Sequence, residues 1–144
     1  MRPTSPATAA LKSSELYAQA KDVRRLAYAP YSHFEVGAAL LASDGRVFTG
    51  VNVENASYAL SLCAERSALA AAIGGGARAF TAIAIAGPQG ASVPPCGACR
   101  QALAEFGESI AVVFAGDDGE LVERPLAALL PHAFGLRRTG EVPR

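Results

Sequence analysis

The chain has 144 residues, 51% of them hydrophobic, and its 13 basic side chains balance 13 acidic ones. That length suits one domain with a single core, and the charge balance argues against the broad positive field that grips a phosphate backbone, so no nucleic-acid partner is expected. The stretch from Met1 to Ala10 holds no apolar run of the kind a leader or membrane span requires, so a cytoplasmic protein with no membrane partner is expected.

Leu16, Ala20, Val23 and Ala27 recur every three or four positions behind Ser13 and Ser14, which predicts a serine-capped helix from Ser14 to Tyr28, ended by Pro30. Phe34, Val36, Ala38 and Leu40 alternate with their neighbours, and Ser43-Asp44-Gly45-Arg46 signals a turn before a second run from Val47 to Glu54. That pattern is a β-hairpin. An Ala- and Leu-rich helix is expected from Cys63 to Ile73, stopped by Gly74 to Gly76. A strand over 81–86, a loop over 87–95, a helix over 96–106 and a strand over 109–115 follow. Gly116 to Gly119 turns into Leu121-Val122-Glu123, and Leu126 to Leu130 reads as a short last helix. This order predicts a layered α/β domain with helices covering a mixed sheet. One domain is expected over residues 1–144, with flexible tails at 1–12 and 136–144.

The chain has three cysteines, and in a reducing compartment grouped cysteines are metal ligands or catalytic groups more often than disulfide partners. Cys96-Gly97-Ala98-Cys99 follows Pro94-Pro95 at an expected helix start, which sets two sulfurs on one side of a first turn. Taken alone, such a pair is equally a redox couple. Cys63 brings a third sulfur from the start of a different helix. Three thiolates around Zn²⁺ make an anionic cluster, which helix N-termini favour, and Arg66 is placed to donate hydrogen bonds to the cysteine sulfurs. Structural zinc usually has four protein ligands, whereas three leave a position for water whose pKa the metal lowers to about 7. His33 and His132 have no partner at ligand spacing, so no fourth ligand is expected. Glu65, two residues after Cys63, stands where it can take a proton from that water and deliver it to a substrate.

Asn52-Val53-Glu54-Asn55-Ala56-Ser57-Tyr58, Cys63-Ala64-Glu65-Arg66 and Pro95-Cys96-Gly97-Ala98-Cys99-Arg100-Gln101 together resemble the small cytidine deaminase family. The resemblance runs from about Tyr17 to Phe134 and includes the segment from Tyr31 to Leu40. It implies a three-layer α/β/α domain with a mixed five-stranded sheet, one Zn²⁺ per subunit, and conversion of cytidine or deoxycytidine to uridine or deoxyuridine plus ammonia. Cys63, Cys96 and Cys99 would hold the metal, and Glu65 would shuttle protons as activated water attacks C4.

Asn52 and Glu54 are two apart in a strand and so share a face, and the resemblance makes them contacts for the ribose hydroxyls. By the same resemblance Phe34 packs near the pyrimidine and the Ala64 backbone reads the polar edge of the base. Phe134 stacks on the base from a neighbouring subunit, which implies a homotetramer with shared active sites and a small-molecule nucleoside as substrate. Ala59 and Leu62 depart from the glycine and polar residue expected in many relatives. A deaminase of a modified cytosine nucleoside or nucleoside antibiotic, a non-catalytic zinc module and a thiol oxidoreductase are the alternatives. Polynucleotide deaminases fit less well, because they carry His-Ala-Glu where Cys63-Ala64-Glu65 stands.

Overall fold

In the computed structural model, which describes residues 11–89 and 91–136, five strands form one sheet. The elements in chain order are α1 (Ser13–Val23), a 3-10 turn (Arg24–Leu26), β1 (Gly37–Ala42), β2 (Val47–Val51), a second 3-10 turn (Tyr58–Leu60), α2 (Ala64–Gly74), β3 (Phe80–Ala86), α3 (Gly97–Ala104), β4 (Ala111–Ala115), β5 (Leu121–Pro125) and α4 (Leu126–Leu129). Most of the two expected flexible tails, residues 1–10 and 137–144, lies outside the described residues, while Leu11 packs against the core beneath α1.

The strand order is β2-β1-β3-β4-β5. The β3–β4 pair is parallel and the others are antiparallel. Helix α3 supplies the crossover that parallel neighbours need, and that crossover delivers Cys96 and Cys99 to the same side of the sheet as α2.

Every residue of β1 is buried, because side chains alternate between faces and both faces of this strand are covered. Ala38, Leu40 and Ala42 pack in one cluster with Ala64, Ala68 and Ala72 of α2 and Leu103 of α3. Ala39 and Leu41 pack with Leu16 and Ala20 of α1 on the other face. The expected three layers are therefore present, with α1 the one helix on its side among the described residues. The layer carrying the cysteines lies close against the sheet. A Cβ on Gly50 of β2 would lie 2.2 Å from the Ala68 nitrogen and 2.6 Å from the Ala64 carbonyl oxygen, so only glycine lets the first turns of α2 lie against the sheet.

Element boundaries differ from the sequence expectation where long-range hydrogen bonds intervene. α1 stops at Val23 rather than Tyr28, because the Tyr28 N–H donates to the Asn52 carbonyl and the Tyr28 carbonyl accepts from the Glu54 N–H. Ser13 and Ser14 lie inside α1 rather than capping it; Lys12 precedes the helix, and no side chain caps that end. β1 starts at Gly37 rather than Phe34, since the Phe34 carbonyl and the Val36 N–H are taken by the Asn52 side chain. β2 ends at Val51 rather than Glu54, and Val53 pairs instead with Leu62. Cys63 and Cys96 stand one residue ahead of their helices rather than inside them.

Candidate active site

The chain enters α2 and α3 through extended cysteines, with φ and ψ of −73° and 152° at Cys63 and −67° and 167° at Cys96. Each sulfur therefore stands at a helix N-terminus, where unpaired N–H groups favour negative charge. Cys99, in the first turn of α3, is fully buried. The three sulfurs lie within 4.8 Å of one another, and Cys63 and Cys96 are 4.0 Å apart. Sulfurs on a tetrahedral zinc, at about 2.3 Å from the ion, stand about 3.8 Å from each other. The donor set thus fits zinc by type, number and spacing. Among the described residues this is the one such cluster, and neither His33 nor His132 joins it.

The electrostatics of the cluster are those of a ligand set ready for a cation. The Cys63 thiol is drawn down to about 5, first by a hydrogen bond from Cys99 and then by the Arg66 guanidinium and Cys96, against the effect of burial. Cys99, the donor in that pair, is pushed up by the same bond and by its burial. Arg66 Nη2 donates to Cys63 Sγ at 3.6 Å. The Arg66 Nε is buried with no hydrogen-bond partner among the described residues.

Glu65 is 5% exposed and is the one buried charged side chain among the described residues. Its position in the first turn of α2, directly after Cys63, follows from the helix start. Burial pushes its carboxyl above the usual carboxylate range, the nearby Cys63 charge adds to this, and hydrogen bonding with Cys99 works against it. A raised carboxyl is a stronger base when ionised and so is suited to accept a proton and pass it on. Ala64 is buried and is the first residue of α2, and the N–H groups of a first helical turn have no partner within the helix.

Asn52 and Glu54 lie beyond the end of β2 and bind the Tyr31-to-Val36 segment. Asn52 Oδ1 accepts from the Val36 N–H at 2.9 Å and its Nδ2 donates to the Phe34 carbonyl at 2.8 Å. Glu54 Oε1 accepts from the N–H groups of Tyr31 and Ser32 at 3.0 and 3.1 Å, and Oε2 accepts from the Ser32 hydroxyl. The Ser32 hydroxyl and N–H hold the Glu54 carboxyl below its usual range. Both side chains therefore fasten the segment that presents Phe34, which is 43% exposed.

The structure groups Cys63, Glu65, Arg66, Cys96 and Cys99 around the sulfurs, and Phe34, Asn52 and Glu54 around the Tyr31-to-Val36 segment. Phe134 joins neither group. Its backbone N–H and carbonyl are both bound by the Gln101 side chain, at 3.2 and 2.8 Å, and 70% of the residue is exposed.

Two features escaped the sequence reading. Tyr31, Ser32, Tyr58 and Ser61 line a pocket of about 340 Å³ with Glu54. Arg100 and Gln101, directly after Cys99, tie α3 to the Pro95, Leu129 and Phe134 backbones. The Leu129 and Phe134 partners lie 29 and 33 residues along the chain, so no local pattern marks them, although both residues stand in the Cys96-to-Gln101 motif.

The sequence model of the "Cytidine and deoxycytidylate deaminase zinc-binding region" matches residues 11–116. The cytidine deaminase of Sporosarcina psychrophila is 46% identical over 121 residues, spanning 83% of this chain and 89% of its own length. That of Halalkalibacterium halodurans is 48% identical over 120 residues, spanning 83% and 91%. The crystal structure of cytidine deaminase from Burkholderia pseudomallei superposes with a TM-score of 0.80 at 47% identity, over 86% of this chain and 100% of that one. The one from Mycobacterium tuberculosis gives 0.78 at 42%, over 88% and 99%. With this similarity running through the cysteine cluster and the sheet that carries it, the chain belongs to the cytidine and deoxycytidylate deaminase family.

Proposed function

We propose that the protein hydrolyses the exocyclic amine of cytidine and deoxycytidine, giving uridine or deoxyuridine and ammonia. The observation that carries this reading is three cysteine sulfurs within 4.8 Å of one another beside a buried glutamate. Three protein donors, with no fourth among the described residues, are the arrangement of a catalytic rather than a structural zinc site. Zinc held by Cys63, Cys96 and Cys99, one per subunit, supplies Lewis acidity that activates water near neutral pH.

The Glu65 carboxylate takes a proton from the attacking water, delivers it to the ring nitrogen N3, and passes the second proton to the departing amine. Its burial supports this role, because a raised carboxyl is a stronger base toward the attacking water and holds the proton until it is passed on. The Arg66 guanidinium tempers electron donation by Cys63. The free N–H at Ala64 reads the polar edge of the base. Phe34 packs near the pyrimidine. Asn52 and Glu54 meet the ribose hydroxyls with the second Asn52 N–H and the remaining carboxylate lone pairs, which their bonds to the loop leave available.

We assign Phe134 to the active site of a neighbouring subunit in a homotetramer. Tyr58, Leu60 and Phe134 each expose 70% or more of their surface in the single chain, which supports a covering partner. Among the described residues no helix is long and apolar enough to cross a membrane. A cytoplasmic enzyme of pyrimidine salvage built on a single domain completes the reading.

Ammonia release from cytidine by the zinc-loaded protein, with Glu65→Gln alongside at matched zinc content, tests it. Turnover by the parent and its loss in the variant support deamination with Glu65 as proton carrier. No turnover by the zinc-loaded parent overturns the reading.

A further inference from the structure

We propose that Ser32 is a positioning residue of the substrate pocket, its hydroxyl setting the orientation in which Glu54 meets the sugar. This rests on the assignment of Glu54 as a sugar contact.

Three donors from one turn converge on the Glu54 carboxylate: the Tyr31 N–H, the Ser32 N–H and the Ser32 hydroxyl. The same hydroxyl oxygen accepts from the Phe34 N–H at 3.0 Å. Ser32 thus bridges the carboxylate to the residue that carries the exposed phenyl ring, skipping over His33. His33 is the one non-glycine residue of positive φ among the described residues, at 57°. Residues with a side chain adopt that region rarely, and it persists where the surroundings over-determine it. Here the His33 N–H is also bound, to the Ala29 carbonyl at 2.9 Å.

The carboxylate that this turn holds lines the pocket of about 340 Å³ together with Tyr31, Ser32, Tyr58 and Ser61. That pocket adjoins the cysteine cluster through the chain itself. Ser61 is two residues before Cys63, and the Val53 backbone exchanges both of its hydrogen bonds with Leu62. An exposed glutamate without such bonds samples several rotamers and loses that freedom on binding. Bonded to Ser32, it presents its remaining lone pairs in one direction before the substrate arrives. The hydroxyl is the only one of the three donors that belongs to a side chain, so it is the one that substitution removes.

The test is steady-state kinetics on cytidine for the zinc-loaded parent, Ser32→Ala, Ser32→Thr, Glu54→Gln and the Ser32→Ala/Glu54→Gln double variant, with melting curves and zinc content for each. Ser32→Ala is expected to raise KM about tenfold with kcat within about twofold of the parent. Ser32→Thr, which keeps the hydroxyl, is expected to return KM to within about threefold. The double variant is expected to show a KM no higher than Glu54→Gln alone, because the two residues act as one unit. Multiplying effects in the double variant, or a Ser32→Ala enzyme with lower melting temperature and unaltered KM, would overturn the proposal and leave Ser32 a loop support. Parent turnover with an unaltered KM in Glu54→Gln removes the Glu54 assignment, and Ser32 with it, without touching the deaminase reading.

Discussion

Cys63 Sγ and Cys96 Sγ stand 4.0 Å apart across 33 residues of chain, because each cysteine ends an extended segment at the N-terminus of its own helix and both helices cover the same face of the sheet. The cluster is therefore built from backbone geometry at two helix starts. Glu65 and Arg66 come with it, as they occupy the first turn behind Cys63.

Replacing Glu65 with Gln keeps the shape and removes the charge. We expect kcat to fall by about 10²- to 10⁴-fold, the usual worth of positioned acid–base catalysis, with zinc content unchanged. The melting temperature should hold or rise, since an ionised carboxylate is costly to bury. Ammonia assays, metal analysis and thermal melts check this; a variant with near-parental kcat sinks the role of Glu65.

In the metal-free protein, Cys63 is the thiolate of the cluster. Its pKa of about 5 lies below the ordinary thiol value, so the nucleophile is present at neutral pH and disappears as the pH falls through that value. Iodoacetamide should label Cys63 ahead of the buried Cys99, with a rate that is flat above about pH 6 and falls towards pH 5 and below. Arg66→Gln removes a donor to that sulfur and should move the midpoint upward. Zinc should protect Cys63, and peptide mass mapping with and without metal measures each effect.

Asn52→Ala removes two bonds to the Phe34-to-Val36 segment at once and leaves the Val36 N–H without its partner. A loss of about 1–3 kcal/mol of stability is expected, beside any rise in KM. Urea unfolding decides: parental stability would mean that the segment is held by other contacts.

Gly50 and Gly74 should respond oppositely to alanine. At Gly50 the new Cβ meets the α2 backbone at 2.2 Å, so α2 must move. A loss of about 3 kcal/mol or more is expected, together with weaker zinc retention as Cys63 shifts with its helix. Gly74, the last residue of α2, has no atom within 4 Å of the new Cβ and no positive φ. There alanine should add about 0.5–1 kcal/mol. Equal melting temperatures for the two variants would contradict the close packing of β2 on α2.

The cysteine cluster was legible in the sequence because its geometry is local. Two cysteines three apart at a helix start share one turn whatever the rest of the chain does, and Cys63-Ala64-Glu65-Arg66 fixes a sulfur, a carboxylate and a guanidinium within another. The elements were legible for the same reason, since periodicity and turn residues act over a few positions. Their ends were less so. The helical spacing of Val23 and Ala27 favours continuation to Tyr28, but the Tyr28 backbone is claimed by Asn52 and Glu54.

What the amino-acid sequence by itself determined is the chemistry: three cysteine sulfurs, a carboxyl beside them, and alternating apolar segments that bury into an α/β core. What only the tertiary structure decided is where the polar side chains spend their hydrogen bonds. Asn52 and Glu54 read as a polar strand face, yet close onto Phe34, Val36, Tyr31 and Ser32, 16 to 23 residues away. Likewise Gln101 holds Phe134, 33 residues on. Such partners are chosen by how helices and strands pack, since a hydrogen bond needs its two atoms within about 3 Å and aligned, and no short window of sequence contains both ends of the bond.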